Sequence, residues 1–288
     1  MKKRTAILLA SAIYIFWGLT PIYWKLLKHV PPFELLANRI IFGFLFVFPM
    51  FLTANRRREL KRIVLDRKAS LQIIVAALLI GFNWHLFVLA VVTERVLEAS
   101  LAYFLTPLMV VAAGVVLLKE KLNRAQMGSL LLAASGMIFL LFWLGTPPWL
   151  ALLLSSTFAV YGYFKSRVAA SGAIGVGIEN AILSLPAVAY LYHIAPIYDY
   201  HTWMLLVLSG PLTIVPMIAY AKVVKAIPFS TVGFLQYLSP VFQFFLALIV
   251  YHETFDMPHQ IAFGFTWAAL LVFTIDLVRR LRKPKPNP

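Results

Sequence analysis

Long apolar segments separated by short polar ones run along the whole chain. Most of them approach the roughly 20 residues that a helix needs to cross a bilayer. The predicted helices lie at about Thr5–Leu27, Phe33–Thr53, Ala69–Thr93, Leu97–Leu118, Ala125–Leu144, Pro148–Phe164, Gly172–Ala195, Thr202–Val224, Ser230–Tyr251 and Pro258–Val278. The pattern therefore predicts an all-α membrane protein with ten transmembrane helices.

Breaks between the apolar segments decide the helix count. The stretch Ala125–Phe164 carries no charge and is too long for one crossing, and Gly145-Thr146-Pro147-Pro148 is predicted to break it because proline cannot continue a helix. The uncharged run Thr5–Trp24 is longer than a signal-peptide core, so we predict an uncleaved first helix. The longest polar segment, Ala54–Lys68, is predicted to be a loop.

Composition supports a lipid environment. The 288 residues are 61% hydrophobic and only 13% charged, about half the charged share of a typical soluble domain. A water-soluble fold could not hide so much apolar surface, so the bilayer is a predicted partner. The chain has no cysteine, which excludes disulfides and thiolate metal sites. No P-loop, H-E-x-x-H or G-x-S-x-G motif occurs, and we expect no cofactor.

The positive charge gives a topology. The formal net charge is +15, but the basic residues form short clusters between apolar segments, which is a membrane-orientation signal rather than a sign of nucleic-acid binding. If the N-terminus is inside, 22 of the 26 lysines and arginines fall in cytoplasmic segments, and the others are Lys25, Lys28, Arg39 and Arg95. We therefore predict a multi-pass protein of the cytoplasmic (inner) membrane with both termini in the cytoplasm.

The two halves of the chain resemble each other. Thr106-Pro107 corresponds to Ser239-Pro240 at an offset of 133 residues, and Glu120 corresponds to Glu253 at the same offset. Each half then holds five helices, and because five is odd the second half enters the membrane from the opposite side. This predicts two inverted repeats, residues 1–145 and 146–288. The alternative is chance similarity between apolar segments.

Short motifs in both halves resemble a known family. The chain is similar to the EamA family of the drug/metabolite transporter superfamily, and within it to the RarD subgroup, whose members are often labelled chloramphenicol-sensitive proteins. The resemblance covers nearly the whole chain and implies ten helices in two inverted halves around a central cavity. The matching stretches are Trp17-Gly18-Leu19-Thr20-Pro21, Asn38-Arg39, Gly81-Phe82-Asn83-Trp84, Leu97 to Leu108 and Ser230 to Tyr237.

Aromatic and polar residues inside the apolar segments are the predicted substrate-binding group. They are Tyr14, Trp17, Asn83, Trp84, Tyr103, Thr106, Tyr161, Gln236 and Tyr237. Aromatic walls with a few amides suit an amphipathic or planar organic solute. Tyr103 and Gln236 align at the 133 offset, and such uncharged groups suit a neutral or zwitterionic compound. The alternative is packing between helices or an interfacial belt, which we expect for Trp24, Trp149 and Trp203.

A second group is predicted to shape or couple the transport path. Its members are Arg39, His85, Glu98, Pro107, Glu179, Pro216 and Pro240. Prolines inside helices kink them beside a cavity, or kink them harmlessly when a hydroxyl or water satisfies the backbone. Ionisable residues at membrane depth are functional candidates. Structural ion pairs are the alternative, with Glu98 or Glu94 as the nearer partner for Arg39, and His85 is an interior hydrogen-bonded histidine or a proton relay.

The leading interpretation is a secondary transporter, not an enzyme, that moves a small organic metabolite or drug-like compound by alternating access. The first alternative is a membrane-embedded enzyme acting on a lipid-linked substrate, and the second is a non-transporting scaffold. His252, Glu253, Asp256 and His259 resemble a metal-ligand cluster, but they fall in a predicted outer loop, and we expect no metal site. The pattern leaves the oligomeric state open.

Overall fold

The protein is a bundle of helices. The computed structural model describes residues 1–93, 96–144, 149–249 and 257–282, and no strand occurs in these ranges. This confirms the predicted all-α fold. A short 3-10 helix, Phe48–Leu52, follows the second α-helix. The α-helices are α1 (Lys3–Leu26), α2 (Pro32–Val47), α3 (Ala54–Leu65), α4 (Arg67–Val92), α5 (Val96–Val116), α6 (Arg124–Leu144), α7 (Trp149–Arg167), α8 (Gly172–Ile194), α9 (Tyr200–Val223), α10 (Phe229–Gln236), α11 (Leu238–Ile249) and α12 (Met257–Arg282).

The helices carry the apolar surface of a membrane protein. Among the described residues, seven segments are long and apolar enough to cross a bilayer: α1, α2 with its 3-10 extension, α4, α6, α8, α9 and α12. Large apolar side chains point away from the bundle, and Leu8, Phe142 and Leu185 are 71%, 83% and 74% exposed. Such surface is stable against lipid rather than water. The chain is a multi-pass membrane protein.

The segment predicted to be the longest loop is largely helical. Residues Ala54–Leu65 form α3, so the loop prediction is wrong there. Arg57 and Arg58 are exposed, whereas Ile63 is buried against Ile174 of α8. The many arginines make this segment look polar in the sequence. Its few apolar residues nevertheless suffice to hold one face of a short amphipathic helix against the bundle.

The predicted ninth helix is interrupted. Residues Ser230–Tyr251 were expected to form one helix, but the described part divides at Tyr237 into α10 and α11. Pro240 lacks the N–H that would bond to the carbonyl of Gln236, which accounts for a break at this point. The equivalent helix α5 continues through Pro107. The two matched prolines therefore act differently on their helices.

Hydroxyl groups beside the two prolines also make different contacts. Thr106 donates a hydrogen bond to the carbonyl of Ala102 on its own helix at 2.6 Å. Ser239 instead donates across the bundle to the carbonyl of Tyr14 at 2.7 Å. The first bond supports α5 locally, and the second ties α11 to α1.

A small number of helix pairs hold the bundle together. The main contacts join both α5 and α4 to α7, and α1 to α11, with α10 also against α1; α2 packs on α9, and α4 on α8. Three further contacts join α2 to α8, α5 to α10 and α6 to α12. The largest apolar cluster lies between α1, α7, α9 and α10, around Tyr14 and Tyr220. This packing leaves a cavity on one side of the cluster.

Candidate functional site

The cavity is large enough for a small organic molecule. Its volume is about 840 Å³, and residues of α1, α2, α4, α5, α7, α9, α10 and α11 line it. Ligand pockets typically measure about 300–1,000 Å³. It extends to Lys25 and Lys28, which are exposed beside the α1–α2 connection. The mouth of the cavity therefore lies at this end of the bundle.

Six of the nine predicted substrate-binding residues line the cavity: Trp17, Asn83, Trp84, Tyr103, Thr106 and Gln236. From the second predicted group, Arg39 and Pro240 line it as well. Tyr14, Tyr161 and Tyr237 do not, and each is at most 1% exposed. The structure brings these six residues together around one cavity.

The two amide side chains that line the cavity differ in their hydrogen bonding. Asn83 donates from Nδ2 to the carbonyl of Leu154 at 2.7 Å and to the hydroxyl of Thr157 at 2.9 Å, so its donors are committed to α7. Gln236 has a buried Oε1 with no hydrogen-bond partner among the described residues. A buried polar atom without a partner is costly. Gln236 is therefore the cavity amide whose oxygen is left without a partner in the described structure.

Arg39 lies against tryptophan rings at the cavity wall. Its guanidinium carbon is 4.7 Å from the ring centre of Trp84 and 5.8 Å from that of Trp24. Its Nε is buried and has no hydrogen-bond partner in the described part of the chain. The side chains of Glu94 and Glu98, which the sequence offered as partners, lie outside the described residues.

Trp24 was expected to lie in an interfacial belt, but it lines the cavity beneath Arg39. Its position near the end of α1 is shared with belt tryptophans, so the sequence alone does not distinguish the two. The direction of a side chain near a helix end depends on how neighbouring helices pack. Trp149, by contrast, is 65% exposed, as a belt residue would be.

An aromatic cluster closes the end of the cavity that lies away from Lys25 and Lys28. Trp17 and Phe158 face the cavity, and their ring centres lie 6.3 Å apart. Behind them Tyr161 and Tyr220 stack at 6.3 Å, and Tyr14 packs edge-on against Trp17 at 5.6 Å. All three tyrosines are at most 1% exposed. These five residues, the aromatic cluster, separate the cavity from the opposite end of the bundle.

A buried ion pair lies beyond the aromatic cluster. Lys165 Nζ donates to Glu179 Oε1 at 2.6 Å, and the hydroxyl of Tyr161 donates to Glu179 Oε2 at 3.1 Å. Glu179 was singled out from the sequence, whereas Lys165 was counted only among the basic residues of the cytoplasmic segments, and its burial in the last turn of α7 was not expected. The sequence feature that could have pointed to Lys165 was Glu179 itself, because an acid at membrane depth needs a basic partner nearby.

Three other residues of the second predicted group, His85, Pro107 and Pro216, are not among those that line the cavity. His85 is exposed on α4, with its ring 5.4 Å from that of Phe33. Pro107 and Pro216 are buried within α5 and α9. The side chain of Glu98 lies outside the described residues.

No metal centre is visible in the part of the chain that the structure describes. No group of three or more histidines, aspartates or glutamates there could hold an ion. Of the cluster that resembles metal ligands in sequence, His252, Glu253 and Asp256, together with the side chain of His259, lie outside the described residues.

Comparisons with known proteins agree on one family. The model of the EamA-like transporter family matches residues 4–142. The chain is 36% identical to the "uncharacterized transporter YojE" of Bacillus subtilis, with 99% of each protein covered. It is 34% identical to protein RarD of Escherichia coli K12, with 98% of each covered. One solved crystal structure aligns with a TM-score of 0.70 at 18% identity, covering 98% of this chain and 100% of the other, which shows a shared fold.

Proposed function

The chain belongs to the EamA-like transporter family and is RarD-like, and from this premise we propose that it is a secondary transporter. It carries a small organic compound across the cytoplasmic membrane by alternating access. The observation that carries the proposal is the cavity of about 840 Å³, which reaches the surface at one end and meets the aromatic cluster at the other. A transporter needs such a one-sided site in each of its two states.

The proposed architecture is ten membrane crossings in two inverted repeats, residues 1–145 and 146–288. In it α10 and α11 together make one crossing, and α3 lies outside the count. Helix packing supports this arrangement, because exchanging the halves maps the α5–α7 contact onto the contacts of α10 and α11 with α1. The same exchange maps α2–α9 onto α8–α4, and it maps α2–α8, α5–α10 and α6–α12 onto themselves.

The proposed orientation makes this an outward-open state. With the N-terminus in the cytoplasm, the cavity mouth at Lys25 and Lys28 faces outside. The aromatic cluster and the Lys165–Glu179 pair then form the closed inner gate. Opening the inner side requires α7 and α8 to separate at this pair while the outer ends of α1 and α2 close over the cavity.

An enzymatic function is the second candidate, and the observations favour it less. Lipid-linked chemistry needs acids, histidines or nucleophiles gathered at one membrane face. The acid and base that the described residues bury together, Glu179 and Lys165, neutralise each other. Relatives of this chain are named as transporters. We propose no cofactor and no nucleic-acid partner.

Two measurements test the proposal. Reporter fusions at Lys61, Lys121, Arg167 and Lys225 should report the cytoplasm, and fusions at Pro147 and Asp256 the outside. A fusion at Asp256 that reports the cytoplasm would contradict the inverted repeat.

Transport itself is tested with metabolites from cells and medium, compared with and without overexpression. Compounds that change are then measured in counterflow with proteoliposomes. Protein-dependent exchange of at least one compound is expected. Absence of exchange for every compound whose distribution changes with expression would contradict a transporter.

A further inference from the structure

A positively charged side chain, that of Arg39, lines this cavity within a membrane-spanning helix. Arg39 lies within α2, and its side chain lines the cavity. A guanidinium at membrane depth is costly, so such residues pair with a partner or serve a function. Its Nε is buried without a hydrogen-bond partner among the described residues. Arg39 therefore has a donor that nothing in the described protein uses.

The tryptophans around Arg39 leave its N–H groups available. Trp84 and Trp24 lie 4.7 and 5.8 Å from the guanidinium carbon, at cation–π distance. Stacking occupies the faces of a planar guanidinium, whereas its five N–H groups point outward in the plane. A group bound there must approach in that plane and accept hydrogen bonds.

The charges on the described part of the cavity wall all have one sign. The charged residues that line it are Lys25, Lys28 and Arg39, and no described lining residue is acidic. Clefts lined by one sign of charge concentrate ions of the opposite sign. Lys28 at the mouth and Arg39 at depth thus favour an anion over its neutral or cationic analogue.

We propose that the solute of this cavity is an organic monocarboxylate with a planar apolar body, and that Arg39 binds its carboxylate. This rests on the proposed transport function and names the substrate class of the same site. Guanidinium and carboxylate match in a planar, two-bond geometry. Trp17, Phe87 and Phe158 line the same cavity and contact the apolar body. The free Oε1 of Gln236 accepts a hydrogen bond from an O–H or N–H on that body.

Three probes with one body and different charge test the selectivity. The probes are 3-phenylpropionate, its neutral amide and 3-phenylpropylamine. Each is titrated into the full chain in detergent while tryptophan fluorescence is followed, because Trp24 and Trp84 adjoin Arg39. The carboxylate should bind at least tenfold more tightly than the amide, the scale of charge-assisted hydrogen bonds. The amine should bind most weakly.

Substitution of Arg39 tests whether this residue causes the preference for the carboxylate over the amide. Arg39→Gln should lose the tenfold preference while its affinity for the amide stays within about twofold, because only the charged contact is removed. Binding of the amide also shows that the variant is folded. Arg57→Gln, on the exposed face of α3, is the matched control and should keep the preference.

Several results would overturn the proposal: equal affinity for carboxylate and amide, preference for the amine, a preference that survives in Arg39→Gln, or no binding of any probe. Counterflow of the same probes in proteoliposomes separates this proposal from the transport function. Selective carboxylate binding without exchange would contradict transport and leave the anion site standing. Exchange of the amide or amine without preference for the carboxylate would leave transport standing and remove the anion site.

Discussion

Lys165 on α7 and Glu179 on α8 form an ion pair whose Nζ and Oε1 atoms are 2.6 Å apart and whose side chains are both 1% exposed. Two charges withdrawn from solvent are tolerated only when each satisfies the other. Lys165 lies about two helical turns beyond the cavity residue Phe158. The pair therefore joins α7 to α8 on the closed side of the aromatic cluster.

Removing one member of the pair should be more harmful than removing both. Glu179→Gln or Lys165→Met leaves a buried charge without its counter-charge and should cost about 3–5 kcal/mol of unfolding free energy. The double variant should be less destabilised than either single variant. The measurement is a double-mutant cycle on unfolding of the purified protein in detergent.

The exposed pair Arg280–Asp276 gives the matched control. Its side chains are 45% and 21% exposed, and Arg280→Gln should cost less than about 1 kcal/mol. If the double variant at Lys165 and Glu179 were destabilised by the sum of the single effects, the two residues would not be energetically coupled.

The sequence predicted a multi-pass helical membrane protein because the length and composition of apolar segments are local properties. The family resemblance and the all-helical fold are confirmed. Side-chain direction was harder to predict. Arg39 was correctly marked as a charge within a predicted membrane helix, yet its contacts with Trp24 and Trp84 depend on how α1, α2 and α4 pack together. The pairing of Lys165 with Glu179 was missed for the same reason, since a lysine in the last turn of α7 shows its partner only once α8 is packed beside it.

Gln236 and Tyr103 are predicted to serve the solute rather than the fold. Both line the cavity, Tyr103 is 38% exposed there, and Gln236 Oε1 has no partner in the described structure. Gln236→Ala and Tyr103→Ala should each lower the initial transport rate several-fold while changing Tm little. Gln72→Ala, on α4 away from the cavity lining, is the control and should leave both quantities unchanged. Normal transport with a lowered Tm would make them packing residues.

Gly210 marks a contact that has no room for a side chain. A Cβ there would lie 2.4 Å from the carbonyl carbon of Phe42 and 2.5 Å from the amide nitrogen of Gly43. Small residues let membrane helices approach this closely. Because the backbone atoms of Phe42 and Gly43 cannot move aside as a side chain can, Gly210→Ala must push α2 and α9 apart. It should lower the free energy of unfolding by about 1–3 kcal/mol.

Gly128 on α6 is the matched control for Gly210, since a Cβ there would meet nothing within 4 Å. Gly128→Ala should be neutral or should stabilise the helix by up to about 1 kcal/mol. Thermal unfolding of both variants in detergent makes the comparison. Equal Tm values for the two alanine variants would show that α2 and α9 can separate without loss.

Glu59 ties the amphipathic helix α3 to the beginning of α8, outside the membrane-spanning helices. Its carboxylate accepts hydrogen bonds from the backbone N–H of Ser171, from the hydroxyl of Ser171 at 3.1 Å and from Arg56 at 3.1 Å. Partial burial alone would raise the pKa of Glu59, but these donors together outweigh it and lower the pKa below its ordinary value. The charged form is therefore the one that the folded state prefers.

The lowered pKa of Glu59 gives a pH-dependent stability. A carboxylate whose pKa is lower in the folded state stabilises the protein above its unfolded pKa, about 4.3, and this contribution is lost as pH falls through the lowered folded value. Glu59→Gln should therefore lower the free energy of unfolding by about 1 kcal/mol near pH 7. The difference in stability between this variant and the unmodified protein should narrow from about pH 5 downward and vanish in stronger acid. Arg57→Gln, on the exposed face of the same helix, should show a gap that does not change with pH. The measurement is Tm in detergent from pH 7 down to about pH 3, and a gap for Glu59→Gln that stays constant over this range would show that the Ser171 contacts do not depend on the charge.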